Sequence, residues 1–300
     1  MKNLEGRMKN RKIMKTKLAL LALVSAFSLQ PSALLRAATT IDAANHHAYG
    51  ANFGWLDWRG DTANGAVIGE YVCSGYVYSA NVGWINLGSG SPTNGIFYQN
   101  RSATDFGVNQ DGYGSLSGRA WGANIGWINF EANGAPRVDL SSGKMSGYVW
   151  SANCCWISLS NAIAHVQTDA IQKGALAPNG LPIAWLMQNF GTTNVDANAD
   201  PDHDGTSNAQ EYLAGTNPND GGDYLHVTSI TRDNPPFTYT TLWWASKPTR
   251  FYAVQQTAAL GASPFADRVV MPYAGANNAG FDDSQTNSFY RVRAFRPLTP

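Results

Sequence analysis

Tyr49-Gly-Ala-Asn-Phe-Gly-Trp-Leu-Asp57 is the first copy of a motif that the sequence repeats three more times. The other copies are Tyr78-Ser-Ala-Asn-Val-Gly-Trp-Ile-Asn86, Trp121-Gly-Ala-Asn-Ile-Gly-Trp-Ile-Asn129 and Trp150-Ser-Ala-Asn-Cys-Cys-Trp-Ile-Ser158. In each copy, turn residues separate an aromatic run from an alternating run, which is the signature of a β-hairpin. The repeats therefore predict a mainly β N-terminal domain of four antiparallel β repeat units, each of about three strands.

The four motif tryptophans, Trp55, Trp84, Trp127 and Trp156, admit two interpretations. A large residue at a fixed position in every repeat commonly fills the core between neighbouring units, and this is what we expect. Flat aromatic faces also suit sugar rings, so exposed tryptophans would favour a carbohydrate platform. The fourth copy has Cys155 in place of the motif glycine, so either its turn differs or the glycine is not needed for a positive φ.

The first 38 residues have the pattern of an export signal. Basic residues dominate residues 1–17, and the mostly apolar run 18–29 follows. Such a run spans about 18 Å as a helix, less than the ~30 Å hydrocarbon core, so we expect a signal peptide and no stable membrane span. The sequence thus predicts a secreted protein or one of the cell envelope.

The net charge of the chain indicates which kinds of partner it can bind. Residues 1–38 contain eight of the 21 basic and one of the 21 acidic residues, so the remaining chain has a formal charge of −7. A net-acidic chain without Lys/Arg clusters is a poor ligand for phosphate backbones, and we expect no nucleic-acid partner.

Three cysteines raise the question of a disulfide. Cys73 precedes the second motif copy, whereas Cys154 and Cys155 lie in the turn of the fourth. In an oxidising environment Cys73 could pair with either of them if the repeats fold back on one another. The alternative is that Cys73 is a buried free thiol.

Composition divides the chain after the repeat domain, residues 39–168, into three further segments. Residues 169–180 are typical of a linker. Residues 181–220 predict two short helices, 181–190 and 208–213, which end at Gly191 and Gly215. Strand signals return in residues 221–300 and predict a small β-sandwich as the C-terminal domain.

Residues 200–211 carry a motif with a definite chemistry. Side-chain oxygens at positions 1, 3, 5, 9 and 12 come from Asp200, Asp202, Asp204, Asn208 and Glu211, and Thr206 offers its carbonyl at position 7. Gly205 at position 6 permits the sharp turn. Because neighbouring carboxylates repel one another without a cation, we expect an EF-hand-type Ca²⁺ site whose ordering is coupled to calcium binding.

This segment resembles the dockerin-like and thrombospondin type 3-like calcium loops of bacterial exported proteins. The matching residues are Trp185-Leu186, Phe190-Gly191, the loop itself, Glu211-Tyr212, Gly215-Thr216 and Pro218. The A-N-x-G-W-I repeats, and the ending Phe289-Tyr-Arg-Val-Arg293, are similar to parts of bacterial exported multi-domain proteins. The resemblance implies a bacterial exported calcium-binding protein. It does not imply cohesin docking, because a full dockerin has a second loop copy.

The sequence contains no recognisable active-site motif, such as a nucleophile elbow, a metal-histidine cluster or a phosphate-binding loop. We therefore expect no enzyme, but a structural or adhesion protein of the cell surface or matrix, with calcium ordering the junction between two β domains. The alternative is a secreted carbohydrate-binding protein, and a further one is a hydrolase using Asp57 and Asp139. The expected partner is cell-surface polysaccharide or another exported protein.

Overall fold

The structure is a computed structural model that describes residues 39–60, 63–233, 238–261, 263–283 and 288–299. The predicted signal peptide, residues 1–38, lies outside the described residues. The described chain is mainly β, as the sequence predicts, with two α-helices. In these ranges no helix is both long and apolar enough to cross a membrane.

The four motif copies form one closed sheet. Each copy contributes an antiparallel hairpin: β1 (Ile41–Gly50) with β2 (Gly54–Asp57), β3 (Ser74–Ser79) with β4 (Gly83–Ser89), β6 (Leu116–Gly122) with β7 (Gly126–Phe130), and β10 (Tyr148–Ser151) with β11 (Cys155–Ser158). The hairpins pair in chain order, and β11 pairs with β1 to close the ring. Each copy therefore provides two strands of the ring, and not the three we expected.

Short strands flank this ring. β5 (Val108–Gln110) pairs with β6, and β12 (Val166–Thr168) pairs with β1. β8 (Arg137–Val138) and β9 (Met145–Ser146) form a separate two-stranded ribbon. These strands lie beside particular hairpins, so the four repeat units are alike in the ring and differ outside it.

Aliphatic residues, and not the motif tryptophans, fill the interior of the closed sheet. The residue after each motif tryptophan is at most 3% exposed and belongs to the core: Leu56, Ile85, Ile128 and Ile157. Since successive side chains point to opposite faces of a strand, the tryptophans lie outside. Trp55, Trp84 and Trp156 are 43–45% exposed, and Trp127 is half-buried. The expectation that the motif tryptophans form the core is therefore wrong.

The motif asparagines join neighbouring hairpins into a cycle. Each Nδ2 donates to a main-chain carbonyl in the turn of the preceding copy: Asn81 to Phe53 (2.7 Å), Asn124 to Val82 (3.2 Å), Asn153 to Ile125 (3.1 Å) and Asn52 to Cys154 (3.2 Å). The accepting residues are buried. Their side chains and the four hydrogen bonds close one end of the ring.

The fourth turn has the same backbone as the other three although it lacks the motif glycine. Gly54, Gly83 and Gly126 have φ values of 91°, 77° and 73°, and Cys155 at the equivalent position has a φ of 65°. A left-handed conformation costs a residue with a Cβ roughly 1–2 kcal/mol. Neither alternative holds, because the fourth turn keeps the φ of the other three and the position has a positive φ in every copy, so that Cys155 adopts a strained backbone.

We expect Cys155→Gly to raise the free energy of unfolding by about 1 kcal/mol, because glycine adopts a positive φ at little cost although it gains freedom in the unfolded chain. Urea denaturation measures the change. Gly83→Ala introduces a Cβ at the equivalent position and should lower stability. Equal or lower stability for Cys155→Gly would contradict the prediction.

All three cysteines are free thiols in the structure. Cys73 is buried in the core of the closed sheet, where burial raises the pKa of its thiol to about 12. Cys154 is buried and Cys155 is exposed at the fourth turn. The candidate disulfide from Cys73 is therefore not formed, and a buried free thiol describes this residue.

Two short helices follow the predicted linker. α1 spans Ile183–Phe190 and α2 spans Asn208–Ala214, close to the predicted ranges. Gly191 and Gly215 end them with positive φ angles, as the sequence predicts. The helices share a small core of their own, which consists of Ala177, Leu181, Trp185, Leu186 and Tyr212.

Two three-stranded antiparallel sheets form the C-terminal part of the chain. The first has the order β13 (Val227–Arg232), β14 (Tyr239–Trp244), β17 (Asn278–Asp282), and the second β16 (Ala266–Val270), β15 (Phe251–Thr257), β18 (Phe289–Phe295). Leu242 and Phe281 from the first sheet share one core with Tyr252 and Val254 from the second. This shared core is that of a small sandwich. The sequence did not predict β16 or β17, which carry charged or small residues.

Candidate functional site

The predicted loop gathers acidic side chains at the start of α2. Asp200, Asp202 and Asp204 each offer a carboxylate oxygen, and these oxygens lie within 4.8 Å of one another. Asn208 and Glu211 come from α2 and are 1% and 0% exposed. The five predicted side-chain ligands are therefore half-buried or buried, and the carboxylates of Asp200, Asp202 and Asp204 lie together.

Local hydrogen bonds hold the loop in its shape. The amide of Gly205 donates to Asp200 Oδ2 at 2.9 Å, and the amide of Thr206 donates to Asp204 Oδ1 at 2.6 Å. His203 and Gly205 have φ values of 64° and 89°, so the chain turns sharply on either side of Asp204. Thr206, the predicted carbonyl ligand, lies between this turn and the start of α2.

Six buried side-chain oxygens of this cluster have no hydrogen-bond partner in the described part of the chain. They are Asp200 Oδ1, both carboxylate oxygens of Asp202, Asp204 Oδ2, Asn208 Oδ1 and Glu211 Oε2. Asn208 Nδ2 donates to the carbonyl of Asp196 at 2.8 Å, which fixes the amide and leaves its oxygen for another partner. Buried acceptors without donors are costly, and a cation satisfies several of them at once.

The pKa of Glu211 is also consistent with a cation among these oxygens. Burial, together with the nearby carboxylates of Asp202 and Asp204, raises the pKa of Glu211 to about 7. Thr216 Oγ1 donates to Glu211 Oε1 at 3.3 Å and partly offsets the effect. A carboxyl that resists ionisation beside other carboxylates becomes an anion readily only when a cation joins them.

This pKa predicts how the metal-free protein responds to pH. The folded state holds the Glu211 proton more tightly than the unfolded chain, whose Glu pKa is near 4.5. The stability that this proton adds is present in full below pH 4.5 and is lost as the pH rises through about 7. With a chelator present, we expect the thermal midpoint of unfolding to decrease as the pH is raised from 4.5 to about 7. The decrease should be smaller for Glu211→Gln, which has no carboxyl group at this position. Identical pH slopes for the two proteins would contradict the prediction.

A buried charged cluster connects α2 to both β domains. Glu70, which precedes β3, accepts a hydrogen bond from Tyr212 Oη at 2.8 Å and one from Arg296 Nε at 3.0 Å, both at Oε2. Arg250 Nη2 lies 3.5 Å from Glu70 Oε1. Arg250 and Arg296 are 6% and 3% exposed. We call these four residues, Glu70, Tyr212, Arg250 and Arg296, the junction cluster.

The junction cluster also fixes the main chain of α2. Arg250 donates from Nη2 to the carbonyl of Tyr212 at 2.8 Å and from Nε to that of Leu213 at 2.9 Å. Burial, and then the Glu70 carboxylate, raise the pKa of Tyr212 far above its usual value, so its hydroxyl stays protonated and donates. Sequence reasoning missed this cluster, because its members lie up to 226 positions apart.

Aromatic side chains pair across each hairpin on the outer face of the closed sheet. The pairs are Tyr49–Trp55, Tyr78–Trp84, Trp121–Trp127 and Trp150–Trp156, with ring centroids 4.7–5.1 Å apart. We call this set the aromatic belt. Exposed aromatic side chains grouped on one face make it a candidate interaction surface.

Comparison of the chain with protein-family models and with curated protein sequences found no match.

Proposed function

We propose that the protein is an exported structural or adhesion protein in which calcium orders the junction between the repeat domain and the C-terminal β domain. The ligands are the side chains of Asp200, Asp202, Asp204, Asn208 and Glu211 with the carbonyl of Thr206. The observation that carries the proposal is that Glu211, with its unpartnered oxygen, and Tyr212 of the junction cluster are neighbours on α2.

Calcium is the cation that suits this set. All the proposed ligand atoms are oxygens, most of them carboxylate oxygens, and Ca²⁺ takes six to eight such ligands in a flexible geometry. Zn²⁺ would favour nitrogen or sulfur, of which the six unpartnered atoms include none. Export of the chain is supported by the basic and apolar pattern of residues 1–38.

Coupling follows from the position of α2. A bound cation fixes Asn208 and Glu211 to the loop, whereas Arg250 and Glu70 fix the next residues of the helix to the two β domains. Ordering one end of a seven-residue helix orders the other, because a helix this short has little stability of its own. Calcium would thereby lower the freedom of both domains at once.

Isothermal titration of the metal-free protein with CaCl₂ tests the proposal. We expect one equivalent to bind, and Glu211→Gln to weaken binding by at least about tenfold, because even the loss of an outer-shell partner of a metal site typically costs about that much affinity. Glu131→Gln is the matched control, because Glu131 is exposed in the repeat domain and outside the loop. An absence of binding, or equal affinities for Glu211→Gln and the control, would overturn the proposal.

The aromatic belt favours a second candidate function, binding of cell-surface polysaccharide. Four of its six tryptophans, Trp55, Trp84, Trp121 and Trp156, are exposed, and a core role does not explain them. Retention of the protein on immobilised polysaccharides tests this function, with Trp84→Ala and Trp156→Ala as variants. Tyr113→Ala is the control, since Tyr113 is 57% exposed and outside the belt. Equal retention of all three variants would exclude the belt as a sugar site.

A further inference from the structure

Two histidines and an aspartate meet at the end of the first hairpin, away from the acidic loop. His46 and His47 in β1 and Asp57 in β2 each offer one ligand atom, and these atoms lie within 4.8 Å of one another. The imidazole centroids are 4.0 Å apart, and His46 Nδ1 lies 2.6 Å from Asp57 Oδ1. All three residues are half-buried, so their ligand atoms remain accessible from solvent.

The β1 strand is irregular immediately before the two histidines. Neighbouring side chains of a regular strand point to opposite faces. The pairing of β1 with β12 shifts register between Ile41 and His46, and such irregularities re-aim side chains. On the other side of β1, His47 lies directly opposite Asp57. The sequence alone did not show this cluster, because Asp57 is remote from the histidines along the chain.

The other three hairpins provide an internal comparison. The pair at the position of His47 and Asp57 is Tyr76 with Asn86 in the second hairpin, Arg119 with Asn129 in the third, and Tyr148 with Ser158 in the fourth. The closed sheet therefore forms without a histidine or a carboxylate at this position. Only the first hairpin combines an imidazole with a carboxylate here, which points to a role other than folding.

We propose that His46, His47 and Asp57 bind a divalent first-row transition metal such as Zn²⁺, independently of the calcium loop. Two imidazoles and one carboxylate are a ligand set that Zn²⁺ accepts, with a further position open to water or a ligand. Bonds of 2.0–2.2 Å need donor atoms about 3.3 Å apart, so small rotations of the half-buried side chains complete the site.

Titration of the calcium-saturated protein with ZnCl₂ by calorimetry, and with CoCl₂ by visible absorption, tests the site. The decisive variant combines His47→Tyr with Asp57→Asn, which reproduces the Tyr76 and Asn86 pair of the second hairpin and thus a pair this sheet already accommodates. We expect the wild type to bind one equivalent with a cobalt absorption band. The double variant should bind at least about tenfold more weakly and lose the band.

His226→Ala is the control for histidines outside the proposed site, because His226 lies in the C-terminal part of the chain and its Nδ1 contacts the carbonyl of Tyr224. It should keep the wild-type affinity for Zn²⁺, and so should Glu211→Gln, which changes a residue outside the proposed site. Should the wild type show no saturable binding, or the double variant bind as tightly as the wild type, the site is refuted. Thermal unfolding of each variant shows that a loss of binding is not a loss of fold.

Discussion

Calcium at 100 times its dissociation constant is expected to raise the free energy of unfolding of the chelator-treated protein by about 2.7 kcal/mol, because the folded state alone assembles the proposed ligands. For a chain of this size that corresponds to a rise of roughly 5–10 °C in the thermal midpoint. Differential scanning calorimetry with and without calcium measures it.

The junction should respond together with the loop. Hydrogen exchange of the α2 amides is expected to slow when calcium binds, because Glu211 and Tyr212 belong to the same helix. Glu211→Gln should show neither the stabilisation nor the slower exchange, whereas Glu131→Gln should show both. A midpoint that does not move with calcium, or one that moves equally in Glu211→Gln, is incompatible with the proposed coupling.

The clustering of Asp200, Asp202 and Asp204 in one acidic loop could be predicted from the sequence because these residues are close together along the chain. The proposed ligands lie within twelve consecutive residues, so their spacing alone indicated the geometry. The ends of α1 and α2 were predictable for the same reason, since Gly191 and Gly215 act on the adjacent turn. Short-range signals of this kind do not depend on how the rest of the chain folds.

The closure of the sheet could not be predicted in this way. Repetition indicated four similar hairpins, but the pairing of β1 with β11 joins residues about a hundred positions apart. The hydrogen bond from Asn52 to Cys154 shows the same limit. The motif asparagine is a common turn residue, so its recurrence already had a local explanation. Its hydrogen bond to the preceding copy was therefore not predicted.

The face of the tryptophans was mispredicted for a physical reason. Each motif tryptophan is followed by Leu or Ile, and alternation allows either residue to face inward. Burial of the aliphatic side chain fills the narrow interior, and the tryptophan instead packs against the aromatic residue opposite it, as in the Trp121–Trp127 pair at 4.7 Å. Only the closure of the sheet decides between these two faces.

Loss of the Glu70 carboxylate is expected to be among the most damaging single changes in the chain. Glu70→Ala removes the acceptor shared by Tyr212 and Arg296 and leaves Arg250 and Arg296 buried without their anion. Removing one partner of a buried ion pair typically costs about 3–5 kcal/mol. Urea denaturation of Glu70→Ala should show a loss in this range, whereas exposed Glu131→Ala should change stability by no more than about 0.5 kcal/mol.

Calcium affinity provides the readout that separates a junction role from a purely structural one. If the junction cluster orders α2, Glu70→Ala must weaken calcium binding, since two coupled equilibria affect each other equally. Tyr212→Phe tests the same link more gently, because it removes only the hydroxyl that donates to Glu70 and keeps the ring in its core. We expect its affinity to lie between those of the wild type and Glu70→Ala. Unchanged calcium affinity in both variants, each still folded, would show that the loop and the junction are independent.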